Sequence, residues 1–509
     1  MSKTDETRVI EHIFKHYENY LKEENGALLL IDPNDGKVIG FHYGESHLGA
    51  AMIIYGCDTG NQKWIDTGMA IVDGFIHHAE EYQKEPAYHW DFNNFAFCVL
   101  INYLEGKLKN TMSAKAGVNN EFINKVREFT IHQHDSNNAT INWHPMRAYV
   151  NFCKAGWLSE DKYRNIADEM LKKVNEAQYE DGFYEDLLPK GKSFNFQYHI
   201  YTTAVMYLIK NQELTNCEID TAVEQVLNIV DPQGDINYLG RGINQIFAWG
   251  PALYLLENTQ STEYMKVAWK YFSERIFTAI DNNNMILNDQ PGEEKGWWWD
   301  YHYASVYFAH LAFWLVLSKV MIPKEQGIVR YQGDKSDSGV QIYRTNHYQT
   351  CVFNGRKHYL AEKGPQIANI CSNRGQYVFK GSLGPFCGSE YGTKYAIPSD
   401  TIHDFLGIIQ EKLIFGYLAE KIVFPKTVTV EEENGKLIVK LLYGKKISSA
   451  RVNLPLLCNK EQVQVFADDV RITMRAAGKV MGAYGEINLY VSSLLCLSEM
   501  KIQIEEIKE

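Results

Sequence analysis

Several features that would place a chain in a special class are missing from this sequence. No stretch approaches 18 uninterrupted apolar residues, so there is no candidate transmembrane helix. The N-terminus, MSKTDETRVIEHIFKHYENYL, has the pattern of a charged amphipathic helix and lacks the apolar segment of a secretion signal. We therefore expect no membrane insertion, and a cytoplasmic protein, or a secreted one if a leader has been removed.

The cysteines lack the spacing of a metal site or of a disulfide framework. There are nine, an odd number, and no two of them form a CxxC pair. Two histidines stand close together in HQHD, His132 and His134, but no third ligand accompanies them. We expect buried, reduced thiols and no cofactor.

Positive charge is also in deficit, with 51 Lys and Arg against 63 Asp and Glu and a net charge of −12. This balance argues against nucleic acid or an anionic membrane surface as the main partner. Aromatic residues, in contrast, make up 13% of the chain and include 32 tyrosines and 10 tryptophans. An excess of tyrosine favours a polar ligand on which rings can stack.

The hydrophobic pattern changes period near residue 325. Before it, apolar residues recur at intervals of three and four residues, as they do in helices. Pairs of predicted helices follow one another without clear sequence self-similarity. We predict that residues 1–325 form an (α/α) toroid of helical hairpins. After it, alternating β-branched and aromatic runs joined by turns such as ENGKL predict an antiparallel β-sandwich over residues 326–509. The predicted fold class is therefore α+β with two domains, as expected for a chain too long for one core.

The first polar cluster lies in NATINWHPMRAYVNF, where Asn142, Trp143 and His144 directly precede or begin a helix marked by Pro145. Side chains at such a helix start can reach a central cleft. The structural alternative is that Asn142 caps the helix and Trp143 packs in the core.

The second cluster, FNFQYHIYTT, places polar groups in an otherwise apolar helix. Asn195 and His199 are four residues apart and share a face, and Tyr198 and Tyr201 make an adjoining one, with Gln197 beside them. The alternative is a buried histidine satisfied by its neighbours.

The third cluster, GDINYLGRGINQIFAWG, presents Arg241, Gln245 and Trp249 at intervals of four, with Asn244 and Tyr238 close by. A guanidinium that pairs with a carboxylate and an indole that stacks on a ring suit an acidic sugar. The alternative is an arginine paired with a structural acid and a tryptophan in the core.

Two weaker clusters combine aromatic and polar groups at helix starts. One contains His89 and Trp90 and the other contains Trp299 and His302. Either set fits the rim of a saccharide cleft, and either fits an aromatic packing seam.

The order of these motifs resembles the catalytic half of the toroidal polysaccharide lyases, namely the hyaluronate and chondroitin lyases and the heparinase II/III-like proteins. That family places an (α/α) toroid ahead of antiparallel β-sheets. The resemblance implies that Asn142 neutralises a carboxylate, that His199 and Tyr201 serve as base and acid, and that Arg241 is the active-site arginine. The family's tyrosine lies further beyond the histidine than Tyr201 does, so Tyr207 and Tyr238 are alternatives.

The chemistry that the resemblance implies is β-elimination from a uronic acid. The C5 proton becomes acidic enough to remove once the adjacent carboxylate is neutralised by an amide or a guanidinium. A histidine or a tyrosinate then takes the proton, and a tyrosine protonates the departing O4. The expected partner is an acidic polysaccharide or oligosaccharide, and the β domain is a candidate surface for homo-oligomers.

Two other functions stay open. Toroids of paired helices also host glycoside hydrolases, which need two carboxylates about 5–10 Å apart. The candidate acids are Asp91, Asp181, Asp186, Asp235 and Asp300. The other alternative is a glycan-binding protein of polysaccharide production that has no catalytic activity but keeps the aromatic cleft.

Overall fold

The computed structural model describes most of the 509 residues and has an α+β arrangement. The described residues are 3–31, 36, 38, 42–82, 89–110, 118–136, 138–215, 217–240, 242–259, 262–287, 301–320, 336–357, 364–381, 406–414, 417–493 and 495–505. The predicted domain boundary at 325/326 lies outside them.

The helical region of the described chain contains twelve α-helices that alternate between an outer and an inner layer. Their bounds are α1 (Lys3–Tyr17), α2 (Gly44–Thr59), α3 (Gln62–Tyr82), α4 (Trp90–Asn110), α5 (Asn120–His132), α6 (His144–Leu158), α7 (Asp161–Ala177), α8 (Phe196–Asn211), α9 (Asp220–Asn228), α10 (Trp249–Asn258), α11 (Thr262–Asp281) and α12 (Tyr301–Val320).

The even-numbered helices form a closed inner ring. Each one contacts the next even-numbered helix, and α12 returns to contact α2. The odd-numbered helices pack outside, for example α7 on α6 and α11 on α10. The predicted toroid is therefore present.

Sequence pattern explains which helices lie inside. The inner helix α2 is buried along most of its length, whereas α7 buries only one apolar stripe and exposes its charged residues. Glycines bring α2 and α3 into close contact. A Cβ added at Gly68 would lie 2.7 Å from the carbonyl oxygen of Gly49, so a larger residue there would push the two helices apart.

The strands form a short hairpin and two larger sheets. Their bounds are β1 (Leu21–Glu24), β2 (Ala27–Leu30), β3 (Ser193–Phe194), β4 (Val340–Arg344), β5 (Tyr348–Lys357), β6 (Gly364–Ser372), β7 (Tyr377–Lys380), β8 (Gly407–Ile414), β9 (Tyr417–Val423), β10 (Thr427–Glu433), β11 (Lys436–Leu456), β12 (Val463–Ala467), β13 (Val470–Arg471), β14 (Arg475–Gly482), β15 (Gly485–Val491) and β16 (Leu495–Ile504).

Strands β3 to β7 make the small sheet, and β8 to β16 make the large sheet. The small sheet has the order β3-β5-β6-β7 with β4 beside β5, and the large sheet runs β13-β12-β16-β11-β15-β14. Pairing is antiparallel except between β3, from the helical region, and β5. The predicted ENGKL hairpin is confirmed as β10–β11, with positive φ at Asn434 and Gly435.

The small sheet packs on the toroid with one face and on the large sheet with the other. Cys351 and Phe353 belong to the hydrophobic core of the toroid. Val352, between them, belongs to a second core that also contains Val439 and Ile502 of the large sheet. The alternation follows from the two-residue period of a strand.

Two further findings concern the described residues alone. None of their helices is long and apolar enough to cross a bilayer. Their eight cysteines are free thiols, and the ninth, Cys387, lies outside the described part of the chain.

Candidate functional site

The inner helices of the toroid all begin at one end of the ring. An outer helix returns the chain between consecutive inner helices, so the inner ones run in the same direction. Their N-terminal backbone N–H groups and helix dipoles make this end electrostatically favourable for a negatively charged ligand.

Buried amide side chains gather at these helix starts. Six of them, which we call the amide cluster, each have at least one side-chain atom with no hydrogen-bond partner among the described residues. The cluster consists of Asn93, Asn94, Asn142, Asn195, Gln197 and Gln245. A buried polar atom left without a partner costs about 1–3 kcal/mol, so this end of the ring is suited to a polar ligand or to ordered water.

Asn142 lies on the 3-10 helix Ile141–Trp143, directly before α6. Its side chain is buried, and its Oδ1 has no partner among the described residues, so Asn142 does not cap α6. Trp143 stacks on the His89 ring at 5.3 Å between centroids and meets Phe92 edge-on. The predicted first cluster therefore combines a free amide oxygen with a packed indole.

Gly242 brings two other amides together. Its φ is +72°, and a Cβ there would lie 2.3 Å from Oε1 of Gln245 and 2.9 Å from Oε1 of Gln197. Tyr307 donates a long hydrogen bond of 3.5 Å to the same Gln245 oxygen. Only glycine fits at this position, because the backbone is left-handed and both amides pack against it. The preceding residue, Arg241, lies outside the described residues.

His199 and Tyr201 are placed on different sides of α8. The His199 ring is buried against Phe183 and Tyr184, and its Nδ1 accepts the Tyr184 backbone N–H at 3.3 Å. Burial lowers the pKa of His199 to about 3, so the imidazole is neutral. Its Nε2 has no partner among the described residues.

Tyr201 points into the inner ring. It is fully buried, stacks on Phe92, contacts the Phe247 ring at a tilt, and donates its hydroxyl to Sδ of Met146 at 2.9 Å. Burial raises the pKa of Tyr201 well above its ordinary value. The structure therefore does not bring the predicted base and acid together, because their positions on α8 point in nearly opposite directions.

The alternative tyrosines are also committed to the core. Tyr207 donates to the Asn258 carbonyl at 3.3 Å, and Tyr238 donates to the Ile229 carbonyl at 2.8 Å. Burial raises the pKa of both hydroxyls. Tyr198, by contrast, is only half-buried.

Asn244 and Trp249, predicted to bind substrate, make structural contacts instead. Asn244 Nδ2 donates to the carbonyls of Leu287 (2.7 Å) and Ala483 (2.8 Å), and its Oδ1 accepts from the Tyr271 hydroxyl. Trp249 is fully buried and stacks on Tyr271 at 5.4 Å. Helical spacing predicted one shared face, but the local 3-10 helix and the left-handed Asn244 rotate these side chains apart.

Of the remaining predicted residues, some pack in the core and others lie at helix starts. Trp90 packs edge-on against Phe75, as the aromatic-seam alternative predicts. His144 Nδ1 bonds the Thr140 carbonyl oxygen at 3.1 Å, and burial, helped by Arg147, lowers the pKa of His144 to about 4. Trp299 and the side chain of His302 lie outside the described residues.

Three histidines that the sequence patterns did not single out, His42, His47 and His310, lie on or just before inner helices. His42 lies two residues before the start of α2, and its Nδ1 lies 3.2 Å from Nδ1 of His89. His310 stacks on Phe247 at 4.4 Å, and His47 lies 5.3 Å from His310. The segment FHYGESH, which begins α2, has the same mixture of aromatic, histidine and polar residues as the later helix starts, and this signal could have identified His42.

Most candidate acids of the hydrolase alternative are engaged by structural partners. Asp91 pairs with Arg147 at 2.8 Å, Asp181 accepts from the Ser338 hydroxyl at 2.6 Å, and Asp235 lies 2.7 Å from Nζ of Lys380. Asp186 is buried, and Asp300 lies outside the described residues. Within the described ranges, no three His, Cys, Asp or Glu side chains are grouped as metal ligands.

Comparison with known proteins identifies the fold. No protein-family model and no curated protein matches the chain. Among solved structures, heparinase III is similar to it with a TM-score of 0.51 at 11% identity, over 99% of this chain and 85% of that one. A mutant heparan sulfate lyase from Pedobacter heparinus gives 0.43 at 12% identity, over 90% and 75%. A family 88 glycosyl hydrolase from Bacteroides vulgatus gives 0.38 at 12% identity, over 62% and 99%.

Scores below 0.5 do not define a common fold, so the assignment stands on heparinase III. The chain has the fold of the toroidal polysaccharide lyases, as the resemblance of its motifs predicted.

Proposed function

We propose that this protein is a glycan-active enzyme that cleaves a uronic-acid-containing polysaccharide or oligosaccharide by β-elimination. The observation that carries this proposal is the amide cluster, with its unpaired buried atoms, at the N-terminal end of the inner helices. The fold shared with heparinase III supports the proposal by analogy.

The unpaired atoms of the amide cluster match both kinds of group on an acidic sugar. Three are donors that suit a carboxylate, namely Asn94 Nδ2, Asn195 Nδ2 and Gln245 Nε2. Four are acceptors that suit hydroxyls, namely Asn93 Oδ1, Asn94 Oδ1, Asn142 Oδ1 and Gln197 Oε1. Together with the helix dipoles, the donors lower the charge on a bound carboxylate and thereby acidify its C5 proton.

The structural partners of the candidate catalytic aspartates favour elimination over hydrolysis. Inverting and retaining hydrolases need two carboxylates about 5–10 Å apart and free to act on substrate. Asp91, Asp181 and Asp235 are instead held by an arginine, a serine and a lysine. Arg241 keeps its predicted role at the carboxylate in this proposal, whereas the unpaired atom of Asn142 is an acceptor and is assigned to a sugar hydroxyl instead.

We also infer that the two C-terminal sheets act as a β-sandwich that supports the ring. This inference is supported by the hydrophobic core that they share and by the contact of the Ala483 carbonyl with Asn244. The expected division between the domains is at 325/326.

The test is ultraviolet absorbance of the 4,5-unsaturated uronide during incubation with hyaluronan, chondroitin, heparan sulfate and their oligosaccharides, with neutral glucan as a control. A rise with an acidic glycan, and none with glucan, is the expected result. New reducing ends without that absorbance would replace elimination with hydrolysis. Binding without either signal would favour a glycan-binding protein.

A further inference from the structure

The His42 and His89 side chains form a pair at the starts of two inner helices. His42 lies two residues before the start of α2, and His89 directly precedes α4. Their Nδ1 atoms are 3.2 Å apart, and the ring centroids are 5.0 Å apart. The pair therefore lies at the same end of the ring as the amide cluster.

Neighbouring side chains hold the two imidazole rings in position. Asn93, fully buried, donates its Nδ2 to the carbonyl oxygens of both His42 (2.9 Å) and His89 (3.0 Å). Trp143 stacks on the His89 ring at an interplanar angle of 26°. The Asn93 amide thus connects two backbone segments that are 47 positions apart in sequence. Trp143, the residue after Asn142, fixes the plane of the His89 ring.

The two histidines differ in exposure. His42 is 1% exposed, whereas His89 is only half-buried. Tyr43 packs edge-on against the His89 ring and in turn contacts His47 and His310, and the Asp91–Arg147 ion pair occupies the following turns of α4 and α6. Burial keeps His47 and His310 neutral because it lowers the pKa of each.

An Nδ1 to Nδ1 hydrogen bond constrains the protons of the pair. One imidazole must carry the shared Nδ1–H and the other must present a lone pair, since two lone pairs or two protons at this distance repel each other. Such a pair titrates as a unit with two macroscopic steps. A proton gained by one ring is stabilised by its hydrogen bond to the other, neutral ring.

We propose that His42 and His89 are the proton-transfer pair of the cleft, a role that rests on the proposed elimination. His89 donates Nδ1–H to Nδ1 of His42, and its Nε2 takes the C5 proton. The C5–H electron pair becomes the C4–C5 double bond, and the C4–O bond breaks with its pair on O4. His89 Nε2–H then protonates O4, which returns the pair to its starting state. Asn93 is a positioning residue that holds both rings.

The test compares His89→Gln and His42→Gln with the exposed-residue control His134→Gln. We expect His89→Gln to lower kcat by ~10²–10⁴ with KM little changed, because a positioned acid or base contributes that factor. We expect His42→Gln to shift the acidic limb of the kcat pH profile, because it removes the coupled ring. His134→Gln should match the wild type in both. Wild-type kcat in His89→Gln would overturn the proposal while the proposed function stands.

Imidazole nitrogen NMR of the wild type tests the pair without any turnover. We expect the titration midpoint of the His89 ring to change in His42→Gln, and an unchanged His89 midpoint in that variant would overturn the pairing. If NMR shows the coupled pair but no acidic glycan is eliminated, the proposed function fails and the proton-transfer role fails with it. The two failures are thereby distinguished.

Discussion

Asn142 is a buried asparagine whose Oδ1 accepts no hydrogen bond within the described part of the chain. Leaving such an atom unpaired destabilises the fold by about 1–3 kcal/mol, and binding sites commonly contain such atoms. Its neighbours Trp143 and His89 are held by stacking, so the amide is presented by a rigid surface. We therefore assign Asn142 a contact with the substrate.

Asn142→Ala should lower kcat for elimination by ~10²–10³, the usual cost of losing one preorganised polar group in the transition state. Asn142→Asp should be at least as impaired, because it places a negative charge beside the substrate carboxylate. Steady-state kinetics with the glycan found by the absorbance screen measures both. The control is Asn124→Ala, an exposed asparagine on α5, and comparable losses in the control and in Asn142→Ala would contradict the assignment.

His199 gives a prediction about stability. Its folded pKa is about 3 against an ordinary value of 6.5, so unfolding takes up a proton between these values. The unfolded state then binds more protons, and stability is lost as pH falls from about 6.5 toward 3. Each such histidine contributes up to about 1.4 kcal/mol per pH unit.

His199→Gln should consequently show a shallower loss of unfolding free energy on acidification than the wild type does. Urea unfolding monitored by circular dichroism from neutral pH to about pH 5 measures this slope. His134→Gln, which alters an exposed side chain, should keep the wild-type slope. Identical slopes in His199→Gln and wild type would show that this histidine is not kept neutral by the fold.

The sequence correctly predicted which polar residues lie at helix starts, but it did not predict the directions in which the side chains of one helix point. Sequence placed Asn142, Asn195 and Gln197 at helix starts, and the structure finds each with an unpaired atom. It also placed His199 and Tyr201 together. Their separation depends on which neighbours surround α8, and helical spacing alone contains no information about those neighbours.

At the scale of elements, the loop that ends at Gln245 depends on Gly242. Its positive φ strains any residue with a Cβ, and a Cβ would also collide with the Gln197 and Gln245 amides. Gly60, at the end of α2, has the same φ of +72° but nothing within 4 Å of a Cβ. Substitutions at these two glycines therefore distinguish the effect of backbone strain from the effect of contact with the Gln197 and Gln245 amides.

Gly60→Ala should cost about 1–2 kcal/mol of stability, the left-handed penalty, and leave glycan affinity unchanged. Gly242→Ala should cost more and should also weaken glycan binding, because two amides must move. Urea unfolding and isothermal titration calorimetry of both variants provide the comparison. Unchanged affinity in Gly242→Ala would remove the two glutamines from the site.

Element prediction was accurate where periodicity is strong. The alternation of helices, the change to strands and the ENGKL hairpin follow from local pattern and turn chemistry. The pairing of β3 with β5 could not be predicted, because a two-residue strand has no periodicity and its partner lies more than 150 positions away.

At the scale of the whole molecule, Lys380 joins the sheets to the ring. Its Nζ is fully buried and lies 2.8 Å from Asp231 and 2.7 Å from Asp235, both in the loop that leads to Gln245. The rings of Tyr377 and Tyr484 surround the ammonium at 3.8 and 4.6 Å. The C-terminal region thereby fixes one wall of the site. Sequence reasoning considered Asp235 only as a possible catalytic acid, because its partner is distant in the chain.

Lys380→Met should destabilise the protein by about 3–5 kcal/mol, because two buried carboxylates lose their cation. Lys479→Met, which removes an exposed pair with Glu486, should cost no more than about 1 kcal/mol. Differential unfolding in urea measures both. Equal effects would mean that the ring and the sheets do not depend on the buried lysine.

Elimination at the amide cluster, and not hydrolysis, is the reaction proposed for this protein. The most direct measurement is mass spectrometry of the products formed from an acidic oligosaccharide in water labelled with heavy oxygen. Elimination gives a product with an unsaturated uronic acid at its new non-reducing end and no labelled oxygen at the cleaved bond, and this is the result we expect. Incorporation of one labelled oxygen per cleavage, with no unsaturated end, would contradict it.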